Sequence, residues 1–372
     1  MPITFVCSHA RRGGQQAYMT SIVRTLDPAL VHGVVVLQDG PALAAIAATG
    51  ARVWVLPTPG RAGIPRTVAR LRRLLAARHA KLIHADGTKA ALCAVLATAG
   101  TGIPVLWMRY DGAFDGRIAR AIARRCAMVV GISRAVLGTF DGLRGPSVHL
   151  VRCGVPDYHV DRDEGRRTLR ELLGAGRAVP VVAHVARIVA NKGQLETVEA
   201  APAVLARRPE TRFAFIGEPA SSAYADEVRA RARALGIEQS IAFLGYREDA
   251  VRLIAGADVL VVPSLQLPGF YGWREGFGLV AAEAMAVGTP VVAYEDPALV
   301  ETLAGSGVVV AAGDRRGLGE ALNEVLGDPD RQRRLAETGR RRAQDLRFDR
   351  AIEELSGLYG RAIESRESGG DR

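Results

Sequence analysis

The chain predicts two α/β domains, each a doubly wound parallel sheet covered by helices on both faces. Three observations carry this. Short runs rich in Val, Ile and Leu alternate with helix-patterned segments along all 372 residues. The runs are continuously apolar rather than alternating, as strands buried on both faces must be. They are also too many for one open sheet, and a typical domain of about 150 residues makes two domains the natural reading of this length.

The first series of strands is expected at 3–8, 33–38, 52–57, 81–85, 104–108, 128–133 and 147–151. The second is expected at 180–187, 211–217, 241–246, 258–264, 290–295 and 307–312. Helices fill the gaps; Ile64, Val68, Leu71 and Leu75, for example, repeat at helical spacing. A polar stretch over 156–167 marks the boundary, giving domains 1–155 and 156–345. A helix over 346–363 closes the chain, and the Ser/Gly-rich tail 364–372 is expected to be disordered. Two such domains facing each other leave a cleft lined by strand C-termini, where ligands of open sheets bind.

Composition narrows the function. Hydrophobic residues make up 48% and charged residues 24%, which excludes disordered and fibrous classes. The net charge is +10, and Lys81, Lys89 and Lys192 are the only lysines, so arginine supplies nearly all positive charge. Aromatic residues are 5%, too few to interleave with basic patches as a nucleic-acid binder requires. Cys7, Cys93, Cys126 and Cys153 are scattered without metal-ligand spacing and read as buried thiols of a reducing compartment. With no basic leader and no long apolar span, the expected location is the cytoplasm. Residues 40–85 hold eight basic residues and no acidic one, which makes a membrane surface the alternative.

Three motifs carry chemistry. In 274–293, Glu275 and Glu283 flank a segment whose apolar pattern starts a helix at about Gly276, with Glu275 at its mouth and Glu283 two turns in. Gly276 and Gly278 leave first-turn N–H groups open to an anion. Each carboxylate can take two vicinal hydroxyls, which suits a sugar and a ribose flanking a diphosphate. A capped helix with two surface glutamates would leave the glycines and the following Gly-Thr-Pro-Val-Val unexplained. In 184–202 a strand runs into a loop bearing Arg187 and Lys192, placed to neutralise a diphosphate. Gly13 and Gly14 follow the first strand, where backbone can approach phosphate, but the GxGxxG dinucleotide fingerprint is missing. Asp161-Arg162-Asp163 formally matches a metal motif; opening a helix, it reads as an N-cap with first-turn acids.

Together these residues resemble glycosyltransferase family 4, the retaining enzymes of GT-B fold. The likeness runs in order through KLIHADGTKA, VVGIS, VRCGVP, ARIVANKG, FAFIGEP, FLGY, ADVLVVPS and EGFGLVAAEAMAVGTPVVA. It implies two Rossmann-like domains facing across a cleft, acceptor in the first and nucleotide-sugar donor in the second, with the last helix returning to the first domain. It implies that Arg187 and Lys192 grip the donor diphosphate, that Glu275 contacts the donor sugar, and that Glu283 holds the ribose. Gly217, Tyr246, Pro263 and Ser264 would line the base pocket, and Gly13, Gly14, Gly276, Phe277, Gly278 and Leu279 would complete the donor site. The implied reaction moves a hexose or N-acetylhexosamine-type unit from a UDP-sugar to an acceptor hydroxyl. No metal or other cofactor is expected, the UDP-sugar being a substrate.

The acceptor half departs from the family pattern. Cys153 stands where an asparagine often precedes Gly-Val, and His84-Ala85-Asp86 replaces a VHxH segment. The loop after the fifth strand carries Arg109, Tyr110 and Asp111 in place of a common histidine. His84, Asp86, Arg109 and Asp111 are the expected acceptor residues, with His84 at a strand end facing the cleft. Asp86, Asp111 and Asp115, with few cations nearby in sequence, suggest a cationic small-molecule acceptor such as an aminocyclitol or amino sugar of natural-product (antibiotic) biosynthesis. The alternatives are a peripheral membrane enzyme with a lipid-linked or polysaccharide acceptor, a UDP-sugar 2-epimerase, and a non-catalytic nucleotide-sugar-binding protein. Arg187, Lys192, Glu275 and Glu283 all being in place favours transfer.

Overall fold

The computed structural model describes residues 3–78, 80–112, 115–219, 221–267 and 275–367. The chain divides into two compact units, Met1–Cys153 with Asp349–Arg372, and Gly154–Phe348.

In the first unit the strands are β1 (Ile3–Cys7), β2 (Val31–Val36), β3 (Val53–Val55), β4 (Leu82–Asp86), β5 (Val105–Arg109), β6 (Met128–Gly131) and β7 (Ser147–Leu150). They form one parallel sheet in the order β3-β2-β1-β4-β5-β6-β7. In the second unit they are β8 (Val181–Val185), β9 (Arg212–Ile216), β10 (Ile241–Gly245), β11 (Val259–Val262), β12 (Val291–Tyr294) and β13 (Val308–Val310). These run parallel in the order β10-β9-β8-β11-β12-β13. Every expected apolar run holds one of these strands. Both sheets are doubly wound, and the fold is GT-B.

The continuous apolar pattern has its cause in helices on both faces. Val6, Val35, Ile83, Trp107 and Val129 belong to one buried cluster of the first unit. Val182, Phe213, Phe215, Val261 and Val292 belong to the equivalent cluster of the second. Full burial of such side chains stabilises by roughly 1.5–3 kcal/mol each. Between β3 and β4, the helix Ile64–Arg78 buries Leu71 and Leu75 and exposes Arg66, Arg70 and Arg73.

Asp161 caps the helix Arg162–Leu172, its carboxylate accepting from the N–H groups of Asp163 and Glu164. The last helix, Phe348–Glu367, buries Leu355, Leu358, Tyr359 and Ile363. The disorder expected from residue 364 is corrected here: residues 364–367 continue the helix, and 368–372 lie outside the described residues. The four cysteines are buried free thiols. Among the described residues no helix is long and apolar enough to cross a membrane.

Candidate active site

In the second sheet the strand order reverses between β8 and β11. The loops leaving their C-terminal ends diverge there, and an open parallel sheet offers a ligand crevice at that place. Two of the sequence motifs meet at it. The loop after β8 ends in a short 3-10 turn, Ala190–Lys192, and Gly193 follows with φ 73. A Cβ at Gly193 would lie 2.0 Å from the carbonyl oxygen of Pro263. Glycine therefore lets the β8 and β11 loops touch backbone to backbone, and the Leu265 N–H donates to the Asn191 carbonyl at 2.9 Å.

That contact brings the chemistry together. Lys192 Nζ donates to Glu275 Oε2 at 2.7 Å, and Ser264 Oγ donates to the same oxygen at 3.0 Å. The side chains of Lys192 and Glu275 keep 20% and 12% of their exposure, so the pair is neither sealed nor freely solvated. Burial alone would favour the neutral acid. The Lys192 charge, its hydrogen bond, Ser264 and the Gly276 N–H outweigh it and hold the Glu275 carboxyl below its ordinary range. A fixed ammonium, a hydroxyl and a carboxylate thus share one point at the sheet's switch.

Gly276 and Phe277 are buried, but the helix begins later than the sequence pattern suggests. It spans Leu279–Ala286, because Gly278 turns left-handed at φ 82 and packs where a Cβ would meet Leu299. Glu283 is consequently just over one turn in, not two. Tyr158 Oη donates to Glu283 Oε1 at 3.4 Å. Burial pushes the Glu283 carboxyl up to about 7, with Tyr158 opposing part of that rise. Sequence reasoning missed Tyr158, which lies 125 residues from its partner. It also missed Asp296, which caps the helix Pro297–Leu303 and accepts the Glu275 N–H. Asp before Pro was legible as a cap; the link to Glu275 was not.

The remaining expected donor residues are dispersed over the same edge. Arg187 is exposed just beyond β8, its carbonyl accepting from Gln194 Nε2 at 2.9 Å. Gly217 follows β9 and donates its N–H to the Gly245 carbonyl at 2.8 Å. Tyr246 is exposed after β10, whereas Pro263 and Ser264 are buried after β11.

In the first unit the strand order reverses between β1 and β4. A cavity of about 190 Å3 there is lined by Ser8, Gln15, Lys89, Arg109, Tyr110 and Asp111, among others. Gly13 precedes the helix Gly14–Thr25 that starts above β1. The expected acceptor residues need correction. His84 is not at a strand end: it is the middle residue of β4, fully buried, stacked on Phe5 at 4.8 Å and bonded through Nδ1 to Tyr359 Oη at 2.7 Å. Burial pushes its imidazole down to about 3, so it is neutral.

Arg109 lines the cavity but is 1% exposed and committed. Its guanidinium donates to the Asp111 carbonyl at 2.9 Å and to Asp115 at 2.5 Å. Asp86 is buried; burial raises its carboxyl to about 6, while contacts with Tyr110, Gln15 and Cys7 oppose the rise. Of the carboxylates that suggested a cationic acceptor, Asp115 is paired with Arg109, and one oxygen of Asp86 accepts from Gln15 Nε2 at 3.0 Å. His84→Phe should keep the Phe5 stack, strand Tyr359 Oη, and cost about 1–3 kcal/mol. A lower unfolding midpoint with unchanged donor turnover is the expected result; a turnover loss would return His84 to the site.

Two doubly wound parallel sheets are the architecture of GT-B proteins, and Lys192, Ser264 and Glu275 gather at the switch point of the second. Residues 166–342 match the family profile "Glycosyl transferases group 1", and residues 13–126 match "Glycosyl transferase 4-like domain". The chain belongs to the glycosyltransferase family 4-like proteins and is a hexosyltransferase. It is 29% identical over 349 residues to a Corynebacterium glutamicum protein named GDP-mannose-dependent monoacylated alpha-(1-6)-phosphatidylinositol monomannoside mannosyltransferase, covering 89% of each chain. It is 32% identical over 213 residues to the D-inositol 3-phosphate glycosyltransferase of Salinispora arenicola, covering 55% of this chain and 46% of that one. Among solved structures, Anabaena HepE in complex with UDP and glucose superposes with a TM-score of 0.85 at 22% identity, over 97% of this chain and 99% of that one.

Proposed function

We propose that the chain transfers a hexosyl unit, with retained configuration, from a nucleoside diphosphate sugar to an acceptor hydroxyl. The observation that carries this is the Lys192–Ser264–Glu275 cluster at the switch point of the second sheet. In this reading Lys192 and Arg187 hold the donor diphosphate, Glu275 orients the sugar, and Glu283 accepts the ribose hydroxyls. The bond from C1 to the phosphate oxygen breaks while the acceptor oxygen bonds C1 on the same face. The acceptor's proton passes to the departing phosphate. The side chains then act electrostatically, as fixed cations where negative charge grows.

For the base, a UDP-sugar follows from the family resemblance, whereas GDP-mannose is named in the C. glutamicum relative that aligns over 89% of both chains. The whole-length alignment favours GDP-mannose. A thermal-shift screen of GDP-mannose, UDP-glucose and UDP-N-acetylglucosamine tests it. A donor at about 100 times its dissociation constant adds roughly 2.7 kcal/mol of stability. Stabilisation by GDP-mannose is expected; stabilisation by the UDP-sugars alone moves the base to uridine, and none by any of them removes the donor reading.

The acceptor is proposed to be lipid-linked rather than cationic. The same relative acts, by its name, on a phosphatidylinositol mannoside, and the acid-free run 40–85 puts exposed Arg66, Arg70 and Arg73 on one helix. Cations near an anionic leaflet contribute about 1 kcal/mol each. Flotation with anionic liposomes at low salt is the expected result, and a protein that stays at the bottom of the gradient contradicts membrane association.

A further inference from the structure

The Gly-Thr-Pro-Val-Val segment after the glutamate motif leads into β12 at the sheet edge opposite Lys192 and Glu275, and its surroundings point elsewhere. A cavity of about 430 Å3 opens at the N-terminal edge of the second sheet. Its lining includes Asp258, which leads into β11, and Gly288 and Pro290, which lead into β12. Lys192 and Glu275 lie at the opposite, C-terminal edge of that sheet. The first turn of the helix Arg162–Leu172 and one face of the helix Pro329–Asp345 supply the walls, bringing Arg162, Arg166, Arg333, Arg340 and Glu337.

The acids do not balance these cations. Asp258 is already shared between Arg166 at 3.1 Å and Arg170 at 2.8 Å, and it also accepts the Val181 N–H. Arg333 pairs with Asp330 outside the basin. Arg162 donates to three neutral groups, the carbonyls of Val287 at 2.7 Å and Gly288 at 2.6 Å and the Thr289 hydroxyl at 3.5 Å. Arg340 has no hydrogen bond or ion pair from its guanidinium among the described residues. It lies flat on Gly288, where a Cβ would sit 2.2 Å from Nη2, and Gly288 has φ 73. One glycine thus makes room for a second guanidinium beside the first. Burial disfavours the Arg162 charge, and the charges of Arg340 and Arg166 disfavour it further. Like charges gathered round a hollow are costly unless an anion joins them.

We propose that this basin is a second anion site, binding a small soluble phosphate-bearing molecule with Arg162 and Arg340 as direct ligands. Guanidinium forks match phosphate oxygens in pairs, and the volume falls within the ordinary range of small-molecule pockets.

Calorimetric titration of inorganic pyrophosphate into the full chain tests the proposal, because the donor site and the basin should each take one equivalent. Two sites are expected in the wild type. Lys192→Ala should weaken one and Arg340→Ala the other, each about tenfold or more, and the double variant should weaken both. Arg334→Ala, which removes a charge paired with Asp328 on the same helix, should change neither. Without ligand, Arg340→Ala should keep or raise the unfolding midpoint, because it relieves the like charge beside Arg162, and it should keep donor turnover. Binding that is equal in Arg340→Ala and wild type overturns the basin and leaves the donor reading standing; binding lost with Arg340 but indifferent to Lys192 does the reverse. Arg340-dependent flotation with phosphatidylglycerol vesicles, without Arg340-dependent pyrophosphate binding, would assign the basin to a lipid headgroup and overturn the soluble ligand.

Discussion

Lys192→Ala lowers turnover with the nucleotide-sugar donor by on the order of a hundredfold or more, because the contact strengthens as the diphosphate departs. A second effect comes with it. Glu275 loses the cation that holds its carboxyl below the ordinary range while its burial remains. Removing one partner of a buried pair is destabilising in its own right, so stability and turnover must be read separately. Glu275→Gln and the double variant separate them. If the two side chains act as one unit, the double variant loses no more turnover than the worse single variant, and it recovers stability relative to Lys192→Ala. Strictly additive losses would mean that Lys192 and Glu275 serve independent steps.

Glu283→Gln produces the second large effect, and it depends on pH. Burial raises the Glu283 carboxyl from 4.5 to about 7. Between those values the folded chain keeps a proton that the unfolded chain has released, so this group's contribution to stability falls as pH rises. Glutamine carries no charge to bury. The variant should therefore match the wild type below the ordinary glutamate range and gain up to about 3 kcal/mol on it above pH 7. His84 and His184, both pushed down to about 3 by burial, act in the opposite sense below about 6.5. Only the difference between variant and wild type isolates Glu283. Urea unfolding across this range measures it, and a pH-independent difference contradicts the assignment.

Most of the fold was legible because its cause is local. A strand covered on both faces reads as a continuous Val/Ile/Leu run, and runs such as Val34–Val36 and Val259–Val262 have that pattern. The glutamate and lysine motifs were legible for a similar reason: glycines beside charged residues at strand ends mark close backbone approach. What stayed hidden is decided by distant partners. His84 looks like a site residue until Tyr359, 275 positions later, closes over it. Arg109 and Asp115 are near in sequence, yet no local pattern indicates that they pair. The helix starts late because Gly278 turns left-handed, packed where a Cβ would meet Leu299, which no local pattern could indicate. Gly288 was visible as part of a motif, but its reason is Arg340, which lies across the fold of the second unit.

The central claim is that the nucleotide-sugar donor binds at the C-terminal edge of β8 and β11, through Lys192 and Glu275. Amide hydrogen exchange of the full chain with and without GDP-mannose tests this most directly. The account predicts slowed exchange in the loops at 188–195 and 263–267 and over 275–283, with the basin at 287–290 and 329–340 unchanged. Protection confined to the first unit, or to that basin, would contradict it.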